Sequence, residues 1–152
     1  MPRLLAPLLV ALAALATVAA PPALADKPPK GKPKVVVPDG APPKTLKIRD
    51  IKKGKGRVAR DGDRLVTRYV LVTWSDREEK DTSFGRGPFT FTLGAGEVIP
   101  GWDKGLEGMR EGGRRRLTVP PSLAYGKEGS PPAVGPNETL VFVVDLLKVQ
   151  RR

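Results

Sequence analysis

The residues best suited to chemistry in this 152-residue chain lie between positions 87 and 125. An alternating apolar stretch from Phe89 to Leu93 runs through a glycine turn into Val98, Ile99 and Trp102. The whole sequence contains neither Cys nor His, which excludes disulfides, Cys/His zinc sites, Cys nucleophiles and Ser-His-Asp triads. We therefore expect no cofactor and no metal. The segment predicts a small apolar pocket that acts through shape rather than proton transfer.

Aromatic residues on separate predicted elements support a pocket. Any one of them alone is typical of an ordinary hydrophobic core. A domain of this size rarely needs five converging rings in its core, and Tyr and Trp each carry a polar atom that needs a partner. Together, these rings indicate a cavity that they line. These rings are Tyr69, Phe89, Trp102, Tyr125 and Phe142.

Hydrophobic periodicity predicts a mostly antiparallel sheet and one helix. Period-two or continuous apolar patterns mark the strands, at residues 45–51, 64–74, 89–93, 114–119 and 139–149. Pro100 suits the first position of a short helix, and Gly101 and Gly105 give that helix a small face for close packing. The predicted fold is α+β, a curled five- to six-stranded sheet wrapped around one short helix.

The N-terminus has the pattern of a secretory signal peptide. Arg3 precedes an Ala/Leu-rich run from Leu4 to Ala20, and Ala23-Leu24-Ala25 is a small-x-small cleavage pattern. The alternative is an uncleaved membrane anchor, but the run is short for a span and contains Pro7. We expect residues 1–25 to be removed, the mature protein to be periplasmic or secreted, and no stable membrane anchor to remain.

Each of two basic segments can be interpreted either as a binding surface or as ordinary solvent-exposed structure. Residues 26–44 are rich in Pro and Lys and form either a basic arm for an anionic surface or, as we expect, a solvated spacer before a domain at 45–150. Arg114-Arg115-Arg116 could mark a nucleic-acid patch, yet the alternation with Leu117 favours a solvated strand face. The net charge of +11 comes with no nucleic-acid-binding motif, so we expect no specific nucleic-acid partner.

Three stretches carry a family resemblance. PFTFTLGAGEVIPGWDKGLEGM, LTVPPSLAYG and PNETLVFVVDLL closely resemble the FKBP-type peptidyl-prolyl cis-trans isomerases, and the similarity extends over residues 45–149. The resemblance implies a half-open antiparallel sheet around a short helix, with a pocket between them. It also implies acceleration of X–Pro isomerisation during the folding of exported proteins, by a monomer that binds proline-containing polypeptides and macrolide ligands.

Transferred by position, the resemblance implies a role for each pocket residue. Trp102 forms the floor under the substrate proline, and the Tyr125 hydroxyl and the Ile99 N–H donate hydrogen bonds to the substrate. Asp81 lies at the pocket edge. The walls are Tyr69, Phe89, Val98, Ile99 and Phe142, and Ala133 and Val134 belong to a flap.

Two departures from the family pattern concern the pocket wall. The family's FDSS motif reads Lys80-Asp81-Thr82-Ser83, so a lysine replaces an aromatic residue, and its YTG motif reads Tyr69-Val70-Leu71. The segment between Tyr69 and Asp81 is also one residue longer. We expect the Lys80 stem to lie at the pocket edge with its ammonium near Asp81. The alternative function is a catalytically weak proline-peptide-binding module or a chaperone of the same fold.

Overall fold

The structure is a computed structural model that describes residues 26–151. The predicted signal peptide, residues 1–25, lies outside the described residues. Within the described range, no helix is long and apolar enough to cross a membrane.

Six antiparallel strands form one sheet, which confirms the predicted fold class. In spatial order the main path is β1-β5-β6-β2-β3, and β4 pairs with the free part of β2. The strands are β1 (Lys47–Lys52), β2 (Arg64–Thr73), β3 (Glu79–Thr82), β4 (Phe89–Thr92), β5 (Arg114–Val119) and β6 (Leu140–Gln150). The long, apolar β6 is flanked by β5 and β2, as expected for a strand with two covered faces.

The short helix α1 (Pro100–Gly105) begins at the predicted proline and packs closely on the concave side of the sheet. A Cβ atom at Gly105 would lie 2.7 Å from Cδ2 of Leu117, and one at Gly101 would collide with Val119. Arg115 donates a 2.9 Å hydrogen bond to the carbonyl of Gly105 at the last turn. Because the two glycines let the helix approach the sheet closely, they set how near Trp102, which follows Gly101, lies to the concave face.

Part of the segment 26–44, where we expected a solvated spacer, packs against the convex face of the sheet, while most of its residues are exposed. Val37 is 5% exposed and lies in an apolar cluster with Val70, Val72 and Val141. Burial of a valine contributes about 1.5–3 kcal/mol, which offsets part of the conformational entropy lost when the segment is ordered. We call this segment the N-terminal arm.

A buried ion pair fastens the arm to the sheet and corrects the expected position of Arg114. Arg114 is 7% exposed and donates to both carboxylate oxygens of Asp145, at 2.6 and 2.9 Å. The same Nη2 that donates to Oδ2 of Asp145 also donates to the carbonyls of Pro29 and Gly31, at 3.1 and 2.9 Å. Arg114 is buried rather than solvated because Asp145, which lies directly opposite it, needs a cation inside the protein.

Candidate active site: an aromatic cavity between the sheet and the helix

A cavity of about 170 Å³ opens between the concave face of the sheet and the N-terminal end of α1. The eight site residues inferred from the sequence all line it, together with two that were missed, Leu71 and Glu97. The full lining is Tyr69, Leu71, Asp81, Phe89, Glu97, Val98, Ile99, Trp102, Tyr125 and Phe142.

Trp102 forms the base of the cavity. It is 3% exposed, the lowest value among the aromatic rings that line the cavity. Its ring meets Tyr69 at a centroid distance of 5.3 Å and Phe142 at 5.4 Å, both edge to face. Phe89 completes the group at 5.9 Å. Edge-to-face pairs of this kind stabilise each other by about 0.5–1.5 kcal/mol beyond area burial, so the rings hold the cavity open as a rigid apolar cup.

The polar edge of the cavity is a chain of three side chains. The Tyr69 hydroxyl donates to Oδ2 of Asp81 at 2.5 Å, and Arg86 forms an ion pair with Oδ1 of the same carboxylate. Burial, followed by the hydrogen bond to Asp81, raises the pKa of Tyr69 to about 12. Tyr69 is thus a neutral phenol across the physiological range, and the edge presents no group poised for acid–base chemistry.

Tyr125 supplies the most accessible hydroxyl of the cavity lining. It follows the 3₁₀ turn Pro121–Leu123 and is 41% exposed. The next turn is fixed by a 2.9 Å hydrogen bond from the Gly126 N–H to the Pro121 carbonyl. A hydroxyl on an anchored turn at the mouth is well placed to donate to a bound peptide.

Lys80 does not form a wall of the cavity, so its expected position at the pocket edge was wrong. The β2–β3 register pairs Leu71 with Asp81 and Val72 with Glu79, which leaves Lys80 as the extra residue of a β-bulge. Its ammonium lies 2.7 Å from Oδ2 of Asp76 rather than near Asp81. Asp81 lines the cavity, and adjacent residues of a strand point to opposite faces, so the side chain of Lys80 points away from the cavity.

The two residues inferred to form a flap, Ala133 and Val134, lie outside the cavity lining, whereas Glu97 belongs to it. Val134, inferred to lie on a flap, is 2% exposed and belongs to the main core, and Ala133 beside it is exposed. Neither lines the cavity. Glu97 does, but its carboxylate accepts a 2.9 Å hydrogen bond from the Thr92 N–H, which indicates a structural role. Its position directly before Val98 was the sequence signal for its presence.

The groups that line the cavity suit binding and desolvation of a ligand. The lining offers aromatic and aliphatic walls, the hydroxyls of two tyrosines, and the carboxylates of Asp81 and Glu97, each already bound to another group of the protein. Within residues 26–151, no three carboxylates are grouped so that they could hold a metal ion. Such a site suits a small, mostly apolar ligand group with a polar backbone on either side.

The curled sheet and the aromatic cavity define a class of small antiparallel-sheet domains that bind a compact apolar group against a short helix. The chain belongs to the FKBP-type peptidyl-prolyl cis-trans isomerase family, whose sequence profile matches residues 55–147. It is therefore a peptidyl-prolyl cis-trans isomerase.

Individual relatives agree with this assignment. The FK506-binding protein of Streptomyces anulatus is 50% identical over 120 residues, covering 78% of this chain and 97% of the relative. Among solved structures, FkpA from Escherichia coli is 42% identical with a TM-score of 0.63, covering 69% of this chain and 48% of FkpA. AtFKBP13 is 33% identical with a TM-score of 0.64, covering 68% and 91%. This chain thus spans about half of FkpA and nearly all of the Streptomyces relative.

Proposed function

We propose that the aromatic cavity is where isomerisation occurs, with the substrate proline on Trp102. The observation that carries this proposal is the cup of Tyr69, Phe89 and Phe142 around that buried indole, at centroid distances of 5.3 to 5.9 Å. The pyrrolidine ring is the compact apolar group that such a cup would enclose. The Tyr125 hydroxyl and the Ile99 N–H would then donate to substrate carbonyls.

The mechanism follows from the electronic structure of the amide. The planar X–Pro bond resists rotation with a barrier of about 18–20 kcal/mol, and unaided exchange takes tens to hundreds of seconds. Twisting removes amide resonance and with it part of the charge separation between oxygen and nitrogen. An apolar cavity stabilises the less polar twisted amide more than the planar one, which is the differential binding that catalysis requires. No acid, base or metal takes part.

The alternative of a catalytically weak binding module loses its main support. That alternative rested on Lys80 taking the place of an aromatic wall residue. The lysine side chain is instead held by Asp76 and Glu78 at 2.7 and 3.3 Å. The cavity wall next to Asp81 is apolar, since Leu71 lies there. The relative from Streptomyces is named for binding FK506, and we propose that this cavity also binds macrolides of that type.

The experiment for the site is a protease-coupled isomerisation assay with an Ala-Leu-Pro-Phe peptide, on the wild type and on Trp102→Leu. We expect the variant to lose at least about tenfold in kcat/KM, which corresponds to about 1.4 kcal/mol of transition-state binding. Lys104→Ala is the matched control, because Lys104 lies on the same helix and is exposed. Full activity in a folded Trp102→Leu variant would show that isomerisation does not take place in this cavity.

We also propose that the protein works on exported clients, as a monomer. The pattern of Arg3, the apolar run to Ala20 and Ala23-Leu24-Ala25 supports export. Intact-mass analysis of the protein produced in its native host should give a chain that begins at Asp26. A full-length chain retained in the membrane fraction would contradict export, and sedimentation at two concentrations would test the monomer.

A further inference from the structure

A row of side chains crosses the concave face of the sheet at the level of the cavity. Leu71 on β2 lies directly opposite Phe142 on β6 and, on its other side, directly opposite Asp81 on β3. Residues paired in this way have Cβ atoms about 4.5–5.5 Å apart. All three line the cavity. Leu71 is therefore the side chain that fills the wall between the aromatic base and the polar edge.

Lys80 takes no part in this wall, which leaves it to Leu71. It precedes Asp81 on β3 and points to the other face, outside the cavity lining, where its ammonium binds Asp76 and Glu78. The hydrogen bond from Lys80 to Asp76 raises the pKa of the lysine, so the ammonium stays protonated beside that carboxylate. Leu71 is 5% exposed and closes the gap from the neighbouring strand.

We propose that Leu71 determines which residue is accepted on the amino side of the substrate proline. The inference rests on the proposed function, in which the proline ring lies on Trp102 and its carbonyls face Tyr125 and Ile99. The remaining wall, between Phe142 and Asp81, then faces the residue before the proline, the one joined to it through the rotating bond. A branched leucine narrows this side and favours small residues there over large aromatic ones.

The test is the ratio of kcat/KM for a Phe-Pro peptide to that for an Ala-Pro peptide. The concentration of folded enzyme cancels in this ratio, so a loss of stability in a variant does not obscure the result. Leu71→Ala should raise the ratio about tenfold, the scale on which an apolar pocket distinguishes side chains of different size. Leu71→Phe should lower it. A ratio that is unchanged or moves in the opposite direction in either variant overturns the proposal.

Val72→Ala is the matched control. Val72 follows Leu71 on the same strand, is also 5% exposed, and points to the opposite face, where it packs with Val37. Val72→Ala should remove a comparable amount of buried apolar surface while leaving the peptide ratio unchanged. Lys80→Met should also leave the ratio unchanged. A change in the ratio as large as that caused by Leu71→Ala would show that Lys80, rather than Leu71, forms this part of the cavity wall.

Trp102→Leu, assayed with both peptides, separates the two proposals. If Trp102→Leu lowers kcat/KM and the Leu71 variants do not alter the ratio, only the assignment of Leu71 fails. If Trp102→Leu leaves both peptides unaffected, the cavity is not the site of reaction, and both proposals fail together.

Discussion

The hydroxyl of Tyr69 donates a 2.5 Å hydrogen bond to Asp81, whose other carboxylate oxygen is paired with Arg86. Tyr69 and Asp81 line the polar edge of the cavity, and Arg86 binds the carboxylate from outside the lining. Because the phenol keeps its proton and the carboxylate is already neutralised by a guanidinium, the edge holds its shape without offering a proton to a ligand. This arrangement is what an isomerase that acts by desolvation needs from its polar residues.

The first prediction concerns the titration of Tyr69. Its pKa is raised to about 12, first by burial and then by the hydrogen bond to Asp81. The chain has two tyrosines, so Tyr125→Phe leaves Tyr69 as the sole phenol. A rapid pH-jump measurement of tyrosinate absorbance on this variant should give a midpoint near 12. A midpoint near the unperturbed value of about 10 would show that the Tyr69 phenol is solvated.

The sign of the associated stability change follows from the raised pKa. The fold favours the neutral phenol, so the stabilisation is complete below the unfolded pKa of about 10 and is lost as the pH rises through about 12. Asp81→Asn should lower the midpoint only part of the way, because burial is the larger cause of the shift. A complete return to the unperturbed value would make the carboxylate the main cause instead.

The second prediction concerns the catalytic contribution of the Tyr125 hydroxyl. Tyr125→Phe should reduce kcat/KM by the equivalent of about 0.5–1.5 kcal/mol, the value of one ordinary hydrogen bond. The ring is 41% exposed, so the denaturation midpoint should change little. An isomerisation assay combined with urea unfolding measures both quantities. Unchanged kcat/KM would mean that this hydroxyl does not contact the substrate in the transition state.

The third prediction concerns the N-terminal arm. Val37→Ala removes two methyl groups from a buried cluster and should lower the free energy of unfolding by about 1.5–3 kcal/mol. Val36→Ala is the matched control, because Val36 is the preceding residue and is 62% exposed. Equal urea midpoints for the two variants would show that the arm does not stay docked on the sheet in solution.

The fourth prediction concerns the close contact between the helix and the sheet. Gly105→Ala normally favours a helix by about 0.5–1 kcal/mol, but here the new Cβ would lie 2.7 Å from Leu117. Overpacking of this kind costs about 1–3 kcal/mol, so thermal unfolding should occur at a lower temperature. Lys104→Ala, at the exposed preceding position, should have almost no effect. A stabilised Gly105→Ala would mean that the helix can shift without cost.

Much of the fold was accessible from the sequence because the patterns there are local. Alternating or continuous apolar patterns marked every strand except the short, polar β3. Pro100 with Gly101 and Gly105 marked the start and the small face of the helix. The family resemblance brought together eight residues that the structure places around one cavity. Their individual roles stay predictions until they are measured.

The features missed from the sequence depend on register and on contacts between distant segments. The pairing of β3 with β2 sets Asp81 beside Leu71, and no local pattern indicates that register. Docking of the arm was signalled weakly, by three valines in succession within a Pro/Lys-rich segment. The buried pair was signalled by Asp145 in an apolar strand, since a buried carboxylate requires a partner such as Arg114.

The central claim is that the proline binds in the aromatic cavity, on Trp102. The chain contains two tryptophans, and the second, Trp74, packs with the arm cluster on the opposite face of the sheet. In an NMR titration with a proline peptide undergoing catalysed cis-trans exchange, we expect the indole N–H resonance of Trp102 to shift and that of Trp74 to remain in place. Catalysed exchange with an unmoved Trp102 resonance would contradict the account.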